Sequence, residues 1–529
     1  MTGRERRHVT TVRDRSRWLR CSEMAIVGGV CVALLASPDR TAVAASLVEQ
    51  VGVGAPPVTG VGQPPDVSIP TTTSGGARVP VMGASSTTSA VLAGPTSSTV
   101  VPVAASTSST TVIDTATTAA TTVTTVTSTT GVTTTVRPGG ATTTTRPPAD
   151  SVDELRMRVS TALGGSTSAR MGVYVTIDGN GPVLFERNAE RGLIPASTQK
   201  MYIAGAALSA MGPDARYSTE AFADGPISNG VVNGDLVLRA SGDPTFGATQ
   251  LAGLATSVKS SGATRVSGSL VLDDARYDRL TRIASWKATF TPGESGWLSA
   301  FSVDGNHRND AATLADPAMA NLERFRVALA AKGVTVAGAS RRGAVPPSAT
   351  LLGSSKSAPL AEIVQRFVKR SDNTYAELLT KELGARLGIG STANGLSAIA
   401  RHFGQLEVSL PEVQEDGSGL SSNNRSSART QVAYLQRALA SPIGAALRGS
   451  FAVSCVDGTL RSRTCGTVAA GKVLAKSGAI DNVVALSGVT TTASGRAVTF
   501  SFLLNDVRSS RLGRAAIDAA LVEVVRSTV

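Results

Sequence analysis

Apolar positions recur with helical or strand periods from about Val152 to the C-terminus, and with neither period from about Leu47 to Asp150. Met171–Asp178 and Val183–Arg187 alternate as strands about Gly179-Asn180-Gly181, a strong hairpin signal. A Pro-Ala-Ser approach then opens an apolar helix over Ser197–Met211. Helical spacing predicts further helices over Thr249–Ser260, Pro317–Lys332, Ala358–Lys369, Thr374–Leu387, Thr392–Phe403, Ala428–Ala440 and, amphipathic, Ser510–Arg526. Strands are expected at Gly234–Arg239, Gly268–Leu272, Val473–Lys476, Val483–Val489 and Ala497–Asn505. No internal repeat is visible.

Between Tyr217 and Leu351 the texture turns to short strands and turns with two helices, and helix-rich stretches lie on both sides. That order predicts one domain, 151–217 plus 352–529, interrupted by a block at 218–351. Residues 47–150 are mostly Thr, Ser, Val, Ala, Gly and Pro, with runs such as Thr142-Thr143-Thr144-Thr145 and the pair Pro147-Pro148. Such a stretch cannot bury a core. It reads as an extended, disordered linker whose hydroxyls are open to O-linked sugars.

Composition changes this picture at the N-terminus. Met1–Ala44 carries eight arginines and four acids, a net +4 out of the formal +12 of the whole chain. Arg4 to Arg20 form a basic run before the apolar Met24–Ala36, which is shorter than the roughly 20 residues of a membrane span. Residues 1–46 therefore read as a secretory signal with a small-residue cleavage site at Ala42-Val43-Ala44, or as an anchor if retained. The remaining positive charge is dispersed and has no aromatic interleaving, which argues against a nucleic-acid partner. It suits an anionic polymer such as a cell wall. Cys21 and Cys31 fall in the export segment, whereas Cys455 and Cys465 enclose a short loop and are expected to form a disulfide in an oxidising compartment.

Candidate chemistry lies in three separated motifs: Ser197-Thr198-Gln199-Lys200, Ser371-Asp372-Asn373 and Lys476-Ser477-Gly478. Each alone has an ordinary explanation, as an amphipathic helix, a helix cap or a strand ending at a glycine turn. Their order is informative, because it supplies a serine nucleophile whose base is a lysine. Ser197 and Lys200, three apart, share a helix face. A lysine acts as base only when neutral, which burial and a second cation such as Lys476 favour. Ser371 is suited to relay a proton to a leaving amine, and Asn373 to bind a substrate carbonyl and position Lys200. Lys476 and Ser477 would meet a substrate carboxylate, and Gly478 permits close backbone approach. The three histidines, His8, His307 and His402, offer neither an H-E-x-x-H zinc motif nor a G-x-S-x-G elbow to serve. No metal and no cofactor is called for.

The motifs resemble those of the D-alanyl-D-alanine carboxypeptidase/endopeptidase family, the low-molecular-mass class C penicillin-binding proteins. Further blocks carry the likeness across 152–529: Pro195-Ala196 before the nucleophile, Gly234-Asp235-Leu236-Val237-Leu238, Ser241-Gly242-Asp243-Pro244-Thr245, Asp416-Gly417-Ser418-Gly419-Leu420-Ser421 and Asp457-Gly458-Thr459-Leu460. The resemblance implies an α/β (α+β) fold of the serine β-lactamase/transpeptidase type, an antiparallel sheet flanked by helices, with a large insertion between the first two motifs. It implies Ser197 as acylated nucleophile and Lys200 as base, with Ser371 and Asn373 in proton transfer and orientation. Lys476, Ser477, Gly478 and Ala479 would line the substrate strand, and the N–H groups of Ser197 and Ala479 would form an oxyanion hole. Ala479 stands where the family usually has a hydroxyl, so acylation is expected to survive and recognition of a terminal carboxylate to weaken.

The expected activity is a serine-type D-Ala-D-Ala carboxypeptidase or DD-endopeptidase, exported and acting on peptidoglycan peptides and on β-lactams. Membrane contact follows only if the N-terminal segment is retained, and the oligomeric state is left open. Two alternatives stay in view. One is a β-lactamase or esterase on the same fold, against which stands the lack of an E-x-x-L-N loop after Ser371. The other is a non-catalytic wall-binding protein, suggested by Ala479 and the linker.

Overall fold

The computed structural model describes residues 150–529 apart from Thr167, and two short paired strands at Ile26–Val27 and Val30–Cys31. The expectations for the export segment and the linker otherwise fall outside the described residues. Among the described residues no helix is long and apolar enough to cross a membrane.

A six-stranded antiparallel sheet organises the site. Its spatial order is Ala452–Val453, Leu474–Ile480, Val483–Thr491, Ala497–Val507, Ser168–Ile177 and Val183–Arg187. The N-terminal hairpin thus joins four C-terminal strands, with Phe500 opposite Val175 and Phe502 opposite Val173. One face packs on the first and last helices, Val152–Gly164 and Ser510–Arg526, through Leu155, Val159, Ile517, Leu521 and Val524. The first helix was not foreseen, because its exposed face is dense in Asp, Glu and Arg and its apolar stripe is narrow. Ser151 and Glu154 close a reciprocal capping box at its start.

A second core, built from the helices Lys200–Met211, Leu360–Arg370, Asn373–Ala385, Thr392–Gln405 and Ala428–Ala440, gathers Tyr202, Ile203, Phe367, Leu379, Phe403 and Tyr434. Lys200–Met211 is its axis. Apolar on nearly all sides, that helix is buried from Lys200 to Leu208. At Gly205 a Cβ would stand 2.0 Å from Tyr434 Oη, so only glycine lets the neighbouring helix lie this close.

Residues 218–356 form a mixed sheet, ordered Ser340–Arg342, Leu270–Asp273, Asp235–Arg239, Ser218–Asp224 and Thr350–Lys356. The first three run parallel, joined through the helices Ala248–Ser260 and Pro317–Ala331. The strands that enter and leave this block are antiparallel neighbours, Ser218 opposite Lys356. Leu236, Leu254, Leu270, Phe325 and Leu329 give it a separate core. An irregular stretch around 274–307 turns back toward the helices, where Leu378 joins that core.

Candidate active site

Ser197 lies on a tight turn. Ala196–Gln199 is a single 3-10 turn that hands over to the α-helix at Lys200, where the sequence pattern predicts an α-helix from Ser197. The difference has a local cause. Ala196 takes φ of 47°, and two glycines press on the bend from either side. A Cβ on Gly419 would meet Ala196 O at 2.1 Å; one on Gly478 would meet Pro195 O at 2.8 Å and Ser197 N at 3.1 Å. Tertiary packing therefore holds a backbone conformation that alanine alone disfavours. In a 3-10 turn residues three apart eclipse, which stacks Lys200 beneath Ser197.

Lys200 is wholly buried, and Ser197 only 8% exposed. Lys200 Nζ lies 3.0 Å from Ser197 Oγ, 2.6 Å from Asn373 Oδ1 and 2.5 Å from the Ser418 carbonyl oxygen. A neutral amine has two N–H donors and one lone pair. The two carbonyl-type acceptors take both hydrogens, which leaves the lone pair facing the serine hydroxyl. Burial lowers the Lys200 pKa to about 8, against the raising pull of Asp416, Glu377, Asp372 and Glu294. At about 1.4 kcal/mol per unit, that is roughly 3 kcal/mol against the charged form. The expectation that Lys476 supplies a depressing cation is corrected in direction: Lys476 is pushed well below its ordinary value by burial first and by Lys200 second.

The S-D-N motif divides its labour. Asp372 caps the Asn373–Ala385 helix by accepting from Tyr375 N at 3.0 Å, an ordinary capping role. Ser371 ends the preceding helix with φ of 60°, and its hydroxyl oxygen accepts from Lys476 Nζ at 2.9 Å. Asn373 Nδ2 donates to the Glu294 carbonyl at 2.8 Å, which fixes the amide with its oxygen toward Lys200.

Lys476-Ser477-Gly478 sits inside a strand. Leu474–Ile480 runs past Gly478 to a turn at Asp481 and Asn482, so the glycine marks a close approach. The partner on its outer side reaches only Ala475 and Leu474, which leaves the edge open from Lys476 onward. Ser197, Ser371, Ser477, Gly478 and Ala479 line one cleft of about 1130 Å³. Lys476 faces inward instead. Its Nζ is buried between Ser371 Oγ at 2.9 Å and the Ser477 carbonyl oxygen at 2.6 Å. Ser477 Oγ donates to Thr459 Oγ1 at 2.7 Å.

Several residues that hold this geometry escaped sequence reasoning. Glu377, one helical turn after Asn373, accepts from Gly417 N at 3.1 Å and Ser418 N at 2.7 Å, and so fixes the carbonyl that binds Lys200. Burial, with Asp416 nearby, raises the Glu377 pKa to about 7. Asp416 in turn accepts from Gly419 N, Ser421 N, Asn424 Nδ2 and Trp286 Nε1, each at 2.7–2.8 Å. The D-G-S-G-L-S block was visible, but a carbonyl's partner cannot be read from side-chain identity. Cys455 and Cys465 are joined by a disulfide that closes the loop carrying Thr459. His307 contacts the Pro292 carbonyl and Thr374, and His402 contacts Tyr434. Neither histidine reaches Ser197.

Fold and site together define a serine-type peptidase of the penicillin-binding class, with an antiparallel sheet edge beside the Ser197 turn. The profile described as the D-Ala-D-Ala carboxypeptidase 3 (S13) family matches residues 155–307 and 298–526. A D-alanyl-D-alanine carboxypeptidase of Actinomadura sp. is 30% identical over 446 residues, covering 69% of this chain and 82% of that protein. The chain belongs to the D-Ala-D-Ala carboxypeptidase 3 family and is a serine-type carboxypeptidase. Penicillin binding protein 4 of Haemophilus influenzae shares the fold, with TM-score 0.62, 22% identity, and 70% of this chain and 97% of that chain covered. The same protein complexed with a β-lactam gives TM-score 0.56 over 69% and 97%, also at 22% identity.

Proposed function

We propose that Ser197 is the nucleophile of a peptidoglycan DD-peptidase and Lys200 its general base. The observation that carries this reading is the Lys200 amine, buried, with both hydrogens committed to Asn373 and Ser418 and its lone pair toward Ser197. Ser197 Oγ attacks the carbonyl carbon of the penultimate D-Ala while its proton passes to Lys200. The oxyanion meets the N–H groups of Ser197 and Ala479. As the C–N bond breaks, the leaving nitrogen takes a proton from Ser371, and the proton that Lys200 took from Ser197 replaces it by way of the neutral Lys476 amine. Water then attacks the ester, its proton passes to Lys200, and Lys200 hands that proton to Ser197 Oγ. The cycle closes with both buried lysines neutral.

The same chemistry opens a β-lactam ring and leaves a stable acyl-enzyme. The enzyme acts outside the cytoplasmic membrane, a placement that the Cys455–Cys465 disulfide and the basic-then-apolar N-terminus support. Residues 218–351 are an inserted domain, a reading supported by their separate core and by the paired strands at its base. The test is intact-mass analysis after incubation with a penicillin, alongside release of D-Ala from a stem peptide. One covalent adduct, absent in Ser197→Ala, is expected. An adduct that persists in that variant overturns the assignment.

A further inference from the structure

The cleft is far larger than a departing alanine requires, and its charge is one-sided. At about 1130 Å³ it exceeds the roughly 300–1,000 Å³ of pockets that enclose a drug-sized ligand. Beyond Ser371 and Ser477 its walls carry seven cationic side chains against one carboxylate, Asp518. Three elements bring them together: the end of the Leu360–Arg370 helix, the disulfide-closed loop and the start of the Ser510–Arg526 helix. Lys369 is paired with Asp457, Arg463 with Asp518, and Arg366 lies over the Tyr375 ring. Arg370, Arg461, Arg511 and Arg514 make no ion pair among the described residues.

Arg511 and Arg514 are one turn apart at a helix start that has no acidic residue. Positive charge there opposes the helix dipole, and an anion in the cleft relieves both. The substrate strand does not offer that anion its own cation, because Lys476 Nζ is turned toward Ser371 and Ala479 has no hydroxyl.

We infer that this arginine basin is the subsite for the leaving group, and that it selects leaving groups carrying a carboxylate beyond the terminal one. The inference rests on the proposed roles of Ser371 and Ser477, which place the departing amine and its carboxylate on the basin side of Ser197. Its ligand class is an acidic D-amino acid joined through nitrogen to the penultimate D-Ala. A lone D-Ala fills only its inner end. The exposed arginines act through a screened field, so the selectivity is modest and salt-dependent.

The test compares two acyl-D-Ala substrates that differ only in the leaving residue, D-Glu or D-Gln, on the full chain. The D-Glu substrate is expected to show about fivefold or greater advantage in kcat/KM at low ionic strength, shrinking toward parity in 0.5 M salt (on the order of a 4 Å screening length). R511Q/R514Q should remove the advantage while D-Gln turnover persists. R511E/R514E should reverse it. Equal turnover of the two substrates by the parent at low salt, with both still dependent on Ser197, overturns the subsite and leaves the nucleophile assignment intact. Loss of all turnover dependence on Ser197 would instead remove the parent reading. Binding of inorganic polyphosphate that is lost in R511Q/R514Q, with the D-Glu preference unchanged, assigns the basin to a phosphate-rich polymer and also overturns the proposal.

Discussion

If Lys200 is the base, as proposed, this single residue sets the working pH. Its lone pair would act only when the amine is neutral, and burial places its pKa at about 8. Glu377 supports the Ser418 carbonyl and raises the Lys200 pKa through its charge. Glu377→Gln keeps an acceptor for the two backbone N–H groups and removes that charge. The midpoint of the pH profile for kcat/KM should therefore move to lower pH, a shift that a purely structural role does not produce. Stability carries a second signature. Glu377 rises from about 4.5 unfolded to about 7 folded, so the folded state holds the extra proton. That contribution is full below pH 4.5 and is lost as pH rises through 7, on the order of 3 kcal/mol. Denaturant unfolding between pH 5 and 7.5 should show a smaller loss in Glu377→Gln than in the parent. An unchanged slope contradicts the buried-acid reading.

At the scale of elements, the open edge of Leu474–Ile480 and the turn under it act as a pair. Gly478→Val puts a side chain against Pro195 O and Ser197 N, and the strand must move by a fraction of an ångström to an ångström. Displacement of about 1 Å at a reacting group costs about a hundredfold, so penicillin acylation should fall by that order with the fold retained by circular dichroism. Asp372 separates capping from chemistry. Asp372→Ala should lose about 1 kcal/mol of stability with little change in kcat, whereas Ser371→Ala should do the reverse. The disulfide closes a short loop that forms one cleft wall, and Cys455→Ser with Cys465→Ser should cost about 2–3 kcal/mol in unfolding free energy.

Much at this scale was legible in the sequence. Ala428–Ala440 and Ser510–Arg526 begin and end where apolar spacing predicts, since each has a serine cap and a strong stripe. The late strands are read because buried alternating β-branched and aromatic residues have few other uses. The 3-10 turn was not legible. It depends on Gly419 and Gly478, both more than 200 residues away in the chain, and no local pattern contains that information. Nor does Lys476 announce that its amine meets Ser371.

The molecule as a whole holds its site from both sides of the chain interruption. The 274–307 stretch sends Trp286 Nε1 to Asp416 and the Glu294 carbonyl to Asn373, so the proposed inserted domain also buttresses the cleft. Trp286→Phe keeps an aromatic ring, though a smaller one, and removes one donor to a buried carboxylate. A loss of roughly 1–3 kcal/mol is expected, with a slower acylation rate, because Asp416 anchors the loop whose Ser418 carbonyl holds Lys200. The motifs disclosed which residues meet, because they recur in a fixed order. They did not disclose the arginine basin, whose members come from three distant segments with nothing in common but charge.

The pH dependence of penicillin acylation, followed by intact mass in the parent, Ser197→Ala and Lys200→Met, bears on the proposed chemistry most directly. The parent rate should climb about tenfold per pH unit and level off near pH 8, where the buried amine becomes neutral. Both variants should form no adduct. A rate that is flat from pH 6 to 9, or an adduct in either variant, contradicts a serine activated by Lys200.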